Sequence, residues 1–143
     1  MTKIESFKIL TTEYNQFINI TTQICEIVEN SRIQNGMVFV MSMHTTTGII
    51  VNEALECLEQ DMGDLLARLA PEDGDYFHSR FLHSYGAMAG NPTGHLKSLL
   101  TGYNCMFPVQ DGKIYKRSAQ DIYFTEFDGP QEREVCVTVI GET

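Results

Sequence analysis

Hydrophobic and polar positions change rhythm several times along the chain, and each change marks an element. Lys3 to Leu10 reads as a strand, a turn follows at Thr11-Thr12-Glu13, and Gln16 to Ile20 reads as a second, shorter strand. The period then lengthens. Ile24, Ile27, Val28 and Ile33 fall on one helical face behind a cap at Thr21 or Thr22, with Asn35-Gly36 as the expected stop. Met37 to Met43 is an unbroken apolar run, the pattern of a strand covered on both faces. The polar break His44-Thr45-Thr46-Thr47-Gly48 interrupts it, and Ile49-Ile50-Val51 resumes it. Leu55, Leu58, Met62, Leu65, Leu66 and Leu69 return to helical spacing until Pro71 stops them.

Tyr76 to Gly90 has no clear period and is rich in aromatics, His and Gly, so it reads as a long loop of the kind that carries function. Asn91-Pro92 opens a short helix with Asn91 as N-cap; Leu96, Leu99 and Leu100 are expected to face the core and Gly102 to close it. Strands are expected at Cys105 to Val109, Ile122 to Phe127 and Glu134 to Ile140, with an Asp-Gly hairpin at Gln110-Asp111-Gly112. No repeat, linker or low-complexity stretch divides residues 1–143. The pattern predicts a single α+β domain, a mixed β-sheet with helices packed on it.

Composition narrows the partners. The 143 residues are 43% hydrophobic and 20% charged, an ordinary balance for one core. A net charge of −9 with no basic stripe argues against nucleic acid. No apolar run has the length of a membrane helix, and Met1-Thr2-Lys3-Ile4-Glu5-Ser6 does not resemble a signal peptide, so no membrane and a cytoplasmic location are expected. Cys25, Cys57, Cys105 and Cys136 form no C-x-x-C pair and sit among apolar neighbours, the setting of buried free thiols.

The residues with chemistry are scattered. His44, beside three threonines, is either a satisfied structural imidazole or one oriented by hydroxyls for a ligand. Asn52-Glu53 end a strand, as N-caps or as an amide and carboxylate suited to metal or proton work. About 26 Å of extended chain separates His44 from Asn52. They share a pocket only if the chain folds back or a second subunit supplies one of them. His78 and His83 flank an aromatic segment. His95 falls in the first turn of its helix, where the partial positive charge favours the neutral, ligand form of imidazole and free N–H groups suit an anion; Lys97 is close by, and Thr93-Gly94 leave room for a ligand. Gln120 and Glu126 share a face of one extended strand. Asp61 and Asp64 read as a solvated helix face. Together the imidazoles and carboxylates are consistent with a metal site. Walker, G-x-S-x-G, H-E-x-x-H and G-x-G-x-x-G motifs are missing, which removes the commonest NTPase, serine hydrolase, zincin and dinucleotide readings.

The ordered set His44-Thr45-Thr46, Asn52-Glu53, Asp61-Met62, Tyr76-Phe77-His78, Gly94-His95-Leu96-Lys97, Pro108 with Asp111-Gly112-Lys113, Gln120, and Glu126-Phe127-Asp128-Gly129-Pro130 resembles the YjbQ family, also named for a secondary thiamine-phosphate synthase activity. The resemblance implies an α+β fold, a homotrimer and an enzyme acting on a phosphorylated small molecule. The named reaction joins a pyrimidine pyrophosphate to a thiazole phosphate. It implies a divalent metal, zinc or magnesium, on His44, His78 and His95. Glu53 or Glu126 would serve as acid/base, Gln120 and Asn52 would orient substrate, and Thr45, Thr46 and Lys97 would bind it. A non-catalytic trimer that binds a metal or small ligand is the alternative. The chain departs from the family at Lys116-Arg117-Ser118-Ala119, where a Gly-x-Trp pattern is usual, and at Gln131, where Arg is common after Gly-Pro. The first change removes an aromatic wall and adds charge.

Overall fold

The computed structural model describes residues 1–80 and 91–143. His83 and the rest of 81–90 lie outside the described residues. The α+β class stands, and the strands are divided between two sheets in which every described pairing is antiparallel. The larger sheet has the order β1 (Thr2–Leu10), β8 (Glu132–Glu142), β3 (Asn35–Ser42), β5 (Asn104–Gln110), β6 (Lys113–Ile114). The smaller is β2 (Gln16–Asn19), β7 (Asp121–Glu126), β4 (Thr47–Asn52). The polar break at His44-Thr45-Thr46 is the point where the chain leaves β3 in one sheet and enters β4 in the other. One core joins both: Val38, Val40, Val135, Val137 and Val139 from the large sheet meet Ile49, Ile122 and Phe124 from the small. Ile24 and Val28 of α1 (Thr21–Ser31) complete it.

Several local expectations are corrected. Helix α1 ends at Arg32, in the left-handed region at φ 62°, and Asn35-Gly36 instead open β3. Gly36 is needed there for a different reason: a Cβ would run into the Ile140 carbonyl and the Gly141 backbone on β8. Val38, Val40 and Ser42 of β3 are buried while Met37, Phe39 and Met41 are only half-buried, so one face is less covered than the apolar run implied. The Asp-Gly hairpin forms as expected, with consecutive positive φ at Asp111 (52°) and Gly112 (78°). All four cysteines are free; Cys57 is exposed on α2 and the others are half-buried.

Two helices show apolar side chains to the outside. In α2 (Glu56–Leu69) only Leu66 is buried, while Leu65 and Leu69 are exposed. The Tyr123 hydroxyl ties this helix to β7 by donating to Glu59 at 2.9 Å. A short α3 (Phe77–Arg80) forms within the stretch read as loop. Helix α4 (Pro92–Thr101) sits the reverse way from expectation: Thr93, Gly94, Lys97 and Ser98 face inward, and Leu99 and Leu100 are 77% and 51% exposed. Polar bonds choose this face. Ser98 donates to the Thr47 carbonyl, Thr93 donates to Glu72, and Gly94 lies against the Phe127 carbonyl and Thr46. Asn91 stands at the N-cap of α4 as expected, but its side chain makes no cap bond; its amide instead donates to Asp128 at 2.8 Å. No described helix is long and apolar enough to cross a membrane.

Candidate functional site at the junction of the two sheets

The turn between β3 and β4 carries His44, Thr45 and Thr46, and its position is set from below by a buried ion pair. Arg133 on β8 and Glu126 on β7 are both buried and meet through two parallel bonds of 2.7 Å. Glu126 also accepts from the Thr11 hydroxyl at 2.8 Å and the Asp128 N–H at 3.0 Å. Burial alone would raise this carboxyl. The bonds from Arg133, Asp128 and Thr11 outweigh burial and hold it below its ordinary 4.5. Four donors fill the four lone-pair directions of Glu126. It is an anchor for the turn, and the acid/base role expected for it has no free oxygen to work with.

Arg133 reaches further, donating from Nη2 to Thr46 Oγ1 at 3.0 Å. Thr46 is fully buried, so it supports the site and does not touch a ligand. Its N–H donates to His44 Nδ1 at 3.2 Å, and its hydroxyl lies 3.0 Å from the same nitrogen. Partial burial of the His44 ring, and next to it the Arg133 guanidinium, push this imidazole below its ordinary 6.5. His95, on α4, approaches from the other side; its Nδ1 meets the Thr45 carbonyl at 3.2 Å. His44, Thr45, His95 and Ser98 line a cavity of about 580 Å³ whose other walls include Met43, Leu99 and Tyr103. His78, on α3, places its ring centroid 5.1 Å from that of His95 and lines an adjoining cavity of about 310 Å³.

The other expected site residues lie elsewhere. Lys97 is two positions from His95, about 200° round the helix, so it faces away. Its side chain is 5% exposed and its Nζ lies 3.5 Å from Asn15 Oδ1 and 3.7 Å from Glu72, beside a separate small pocket bounded by Phe17, Gly63 and Phe127. Thr93 and Gly94 are packed and give a ligand no approach to the backbone. Asn52 and Glu53 are exposed at the far end of β4, where the Asn52 side-chain oxygen accepts the Glu53 N–H at 2.9 Å. Gln120 precedes β7 and closes a turn by accepting the Arg117 N–H at 2.8 Å. The register shows the separation: Thr47 opposes Glu126 at one end of the β4–β7 pair, and Asn52 opposes Asp121 at the other. That is about 17 Å at about 3.4 Å per residue. The structure therefore brings together His44, Thr45, Thr46, His78, His95 and Glu126, and sets Asn52, Glu53 and Gln120 apart from them.

A metal on His44, His78 and His95 does not fit this geometry. Among the described residues no three His, Cys, Asp or Glu side chains are placed to hold an ion. His44 also has its Nδ1 lone pair engaged by Thr46. Arg133 and Thr11, which build the anchor, were not among the expected residues. Arg133 had a signal: it shares strand parity with the buried Val135, Val137 and Val139.

Two antiparallel sheets around one core, with a His-Thr-Thr turn at their junction facing a helix-borne histidine, define an α+β domain of particular design. The chain belongs to the UPF0047 YjbQ-like family, whose model matches residues 5–142. It is 31% identical over 137 residues to a UPF0047 protein of Methanocaldococcus jannaschii, covering 95% of this chain and 93% of that one. It is 29% identical over 138 residues to the UPF0047 protein YugU of Bacillus subtilis, covering 96% and 99%. A YjbQ/UPF0047 family crystal structure from Clostridium acetobutylicum superposes with a TM-score of 0.85 at 35% identity, covering 95% of this chain and 99% of that one. A crystal structure from Sulfolobus solfataricus P2, of a protein described as of unknown function, gives 0.90 at 26% identity and 99% coverage of both.

Proposed function

We propose that the cavity at the β3–β4 turn is the catalytic site of an enzyme acting on a phosphorylated small molecule. The joining of a pyrimidine pyrophosphate to a thiazole phosphate, with release of pyrophosphate, is the reaction it is proposed to support. The observation that carries this reading is the convergence of His44 and His95, with Thr45 and Ser98, on one otherwise apolar cavity. A few convergent polar groups in an apolar concavity are what a small-molecule site needs. A departing pyrophosphate concentrates negative charge and calls for fixed hydrogen-bond donors at that place. Since the three-histidine metal centre does not fit, no step runs through a metal.

The site is proposed to be completed in a homotrimer. Met43, Leu99 and Tyr103 are exposed on the walls of the cavity, and apolar patches of this kind mark interfaces. A neighbouring subunit seated there would supply Asn52, Glu53 and Gln120, with Glu53 as the acid/base and the two amides orienting substrate.

The test is a turnover assay with the pyrimidine pyrophosphate and thiazole phosphate. Formation of thiamine phosphate, lowered by about 10²-fold in His95→Ala through lost positioning, supports the reading. No product from correctly assembled protein would favour a non-catalytic trimer that binds a small ligand. Phosphate release without the thiazole partner would point to simple ester hydrolysis.

A further inference from the structure

The hydrogen bonds around the two cavity histidines fix which nitrogen of each ring carries its proton. A backbone N–H has only a hydrogen to offer, so His44 Nδ1, 3.2 Å from the Thr46 N–H, must present its lone pair. Thr46 Oγ1 must likewise accept from Arg133 Nη2, which has no lone pair. The one hydroxyl hydrogen of Thr46 is then directed at His44 Nδ1, 3.0 Å away. Both bonds converge on a single lone pair, and the proton of the neutral ring is left on Nε2. For His95 the logic reverses. The Thr45 carbonyl can only accept, so His95 Nδ1 carries the hydrogen and the neutral ring keeps a lone pair on Nε2.

We infer that His44 and His95 are locked in opposite tautomers and act as a donor–acceptor clamp, with Arg133 as the residue that positions the first through Thr46. The clamp rests on the reading of the cavity as a ligand site. It replaces the metal centre there. A metal needs a ring lone pair, and the only one on neutral His44 is held by Thr46; moving the hydrogen to Nδ1 would set it against the Thr46 N–H. The ligand class follows from the polarity. His44 Nε2–H gives a hydrogen bond to an anionic oxygen, such as that of a phosphoryl group. His95 Nε2 takes a hydrogen bond from an O–H or N–H on the same ligand. No bond other than these hydrogen bonds is made or broken.

Long-range ¹H–¹⁵N correlation spectra of the uniformly labelled protein read the tautomers directly, with His44→Gln and His95→Gln used for assignment. The expected pattern is an unprotonated Nδ1 and protonated Nε2 for His44, and the opposite for His95. Inorganic pyrophosphate should shift the His44 Nε2 resonance, and zinc chloride should leave the His44 nitrogens in place. Thr46→Ser, which keeps the hydroxyl, should preserve the His44 pattern. Thr46→Val and Arg133→Lys should move it toward a tautomer mixture, the lysine keeping a positive charge for Glu126 while losing the fork that reaches Thr46. A proton on His44 Nδ1, a zinc-dependent displacement of His44, or an unchanged pattern in both Thr46→Val and Arg133→Lys would overturn the inference. The spectra need no substrate. A protein that turns nothing over but shows the pattern retains the clamp, and one that turns over with the tautomers reversed loses the clamp alone.

Discussion

Glu126 and Arg133 show how much a single pair of residues can decide. A buried carboxylate survives at 0% exposure because a guanidinium and two further donors, the Thr11 hydroxyl and the Asp128 N–H, offset its desolvation. Arg133→Met strands that charge, and urea denaturation should show a loss of about 3–5 kcal/mol. Replacing both partners with apolar residues of similar volume should recover most of it, which separates the cost of a lone charge from the net value of the pair. The pH dependence has a definite sign. Glu126 titrates below its ordinary 4.5, so its contribution is present above that value and is lost as pH falls through the folded-state value. His44, flanked by Arg133, His95, Glu126 and Asp128, is held below 6.5; between 6.5 and its folded value the unfolded chain binds a proton that the folded one does not. Stability should therefore fall in two stages on acidification. His44→Gln should reduce the upper stage and leave the lower one, as read from urea midpoints against pH. At this scale Glu126 was visible in the sequence as a polar residue inside a strand. Arg133 was hidden because Glu132-Arg133-Glu134 looks like a solvated edge until strand parity is counted back from Val135.

At the scale of elements, α4 is the instructive case. Leucine spacing alone turned Leu99 and Leu100 inward, since apolar periodicity is the strongest helix signal a sequence carries. The folded helix is oriented by three features that periodicity does not weigh: a glycine, a serine and a threonine that fit the backbone of β4, the Phe127 carbonyl and the Glu72 carboxylate. Gly94→Ala tests this. Alanine is the better helix former, yet its Cβ would meet the Phe127 carbonyl at 2.9 Å and Thr46 at 3.3 Å. The substitution should destabilise by about 1–3 kcal/mol in thermal or urea unfolding, the range of an overpacked site. A neutral or stabilising result would mean that α4 is not held by that close approach. Elements with strong turn chemistry were read correctly, as at Asp111-Gly112, because their backbone demand is local. The stop of α1 was misplaced, because Gly36 answers a neighbour on β8 that lies more than a hundred residues away in the chain.

For the whole molecule, the sequence supplied the α+β class and the family's ordered motifs. The division into two sheets depends on pairings between distant strands that no local pattern encodes. The same limit applies to the site. Motif order grouped His44, His95, Asn52, Glu53 and Gln120, while the register of β4 against β7 puts the Thr47 end, next to the His44 turn, and the Asn52 end at opposite ends of the small sheet. A straight strand cannot fold back, so Asn52, Glu53 and Gln120 join the histidines in one pocket only under the trimer proposed above. Leu99, exposed on α4, lies on the histidine side of that gap, whereas Leu100 lines a separate cavity with Asn52. Under the proposed trimer, Leu99→Glu should leave the monomer fold unchanged by circular dichroism and abolish assembly in light scattering, with the proposed activity lost alongside it. Mixed subunits give the sharper result. Neither His95→Ala nor Glu53→Ala should be active alone. In a cyclic trimer reassembled from equal amounts of the two, about a quarter of the pockets receive an intact His95 from one protomer and an intact Glu53 from the next. Activity should recover to about that fraction of wild type. Activity that stays at the level of the single variants, in trimers shown to have exchanged subunits, would place the working site within one protomer and remove Glu53 from it.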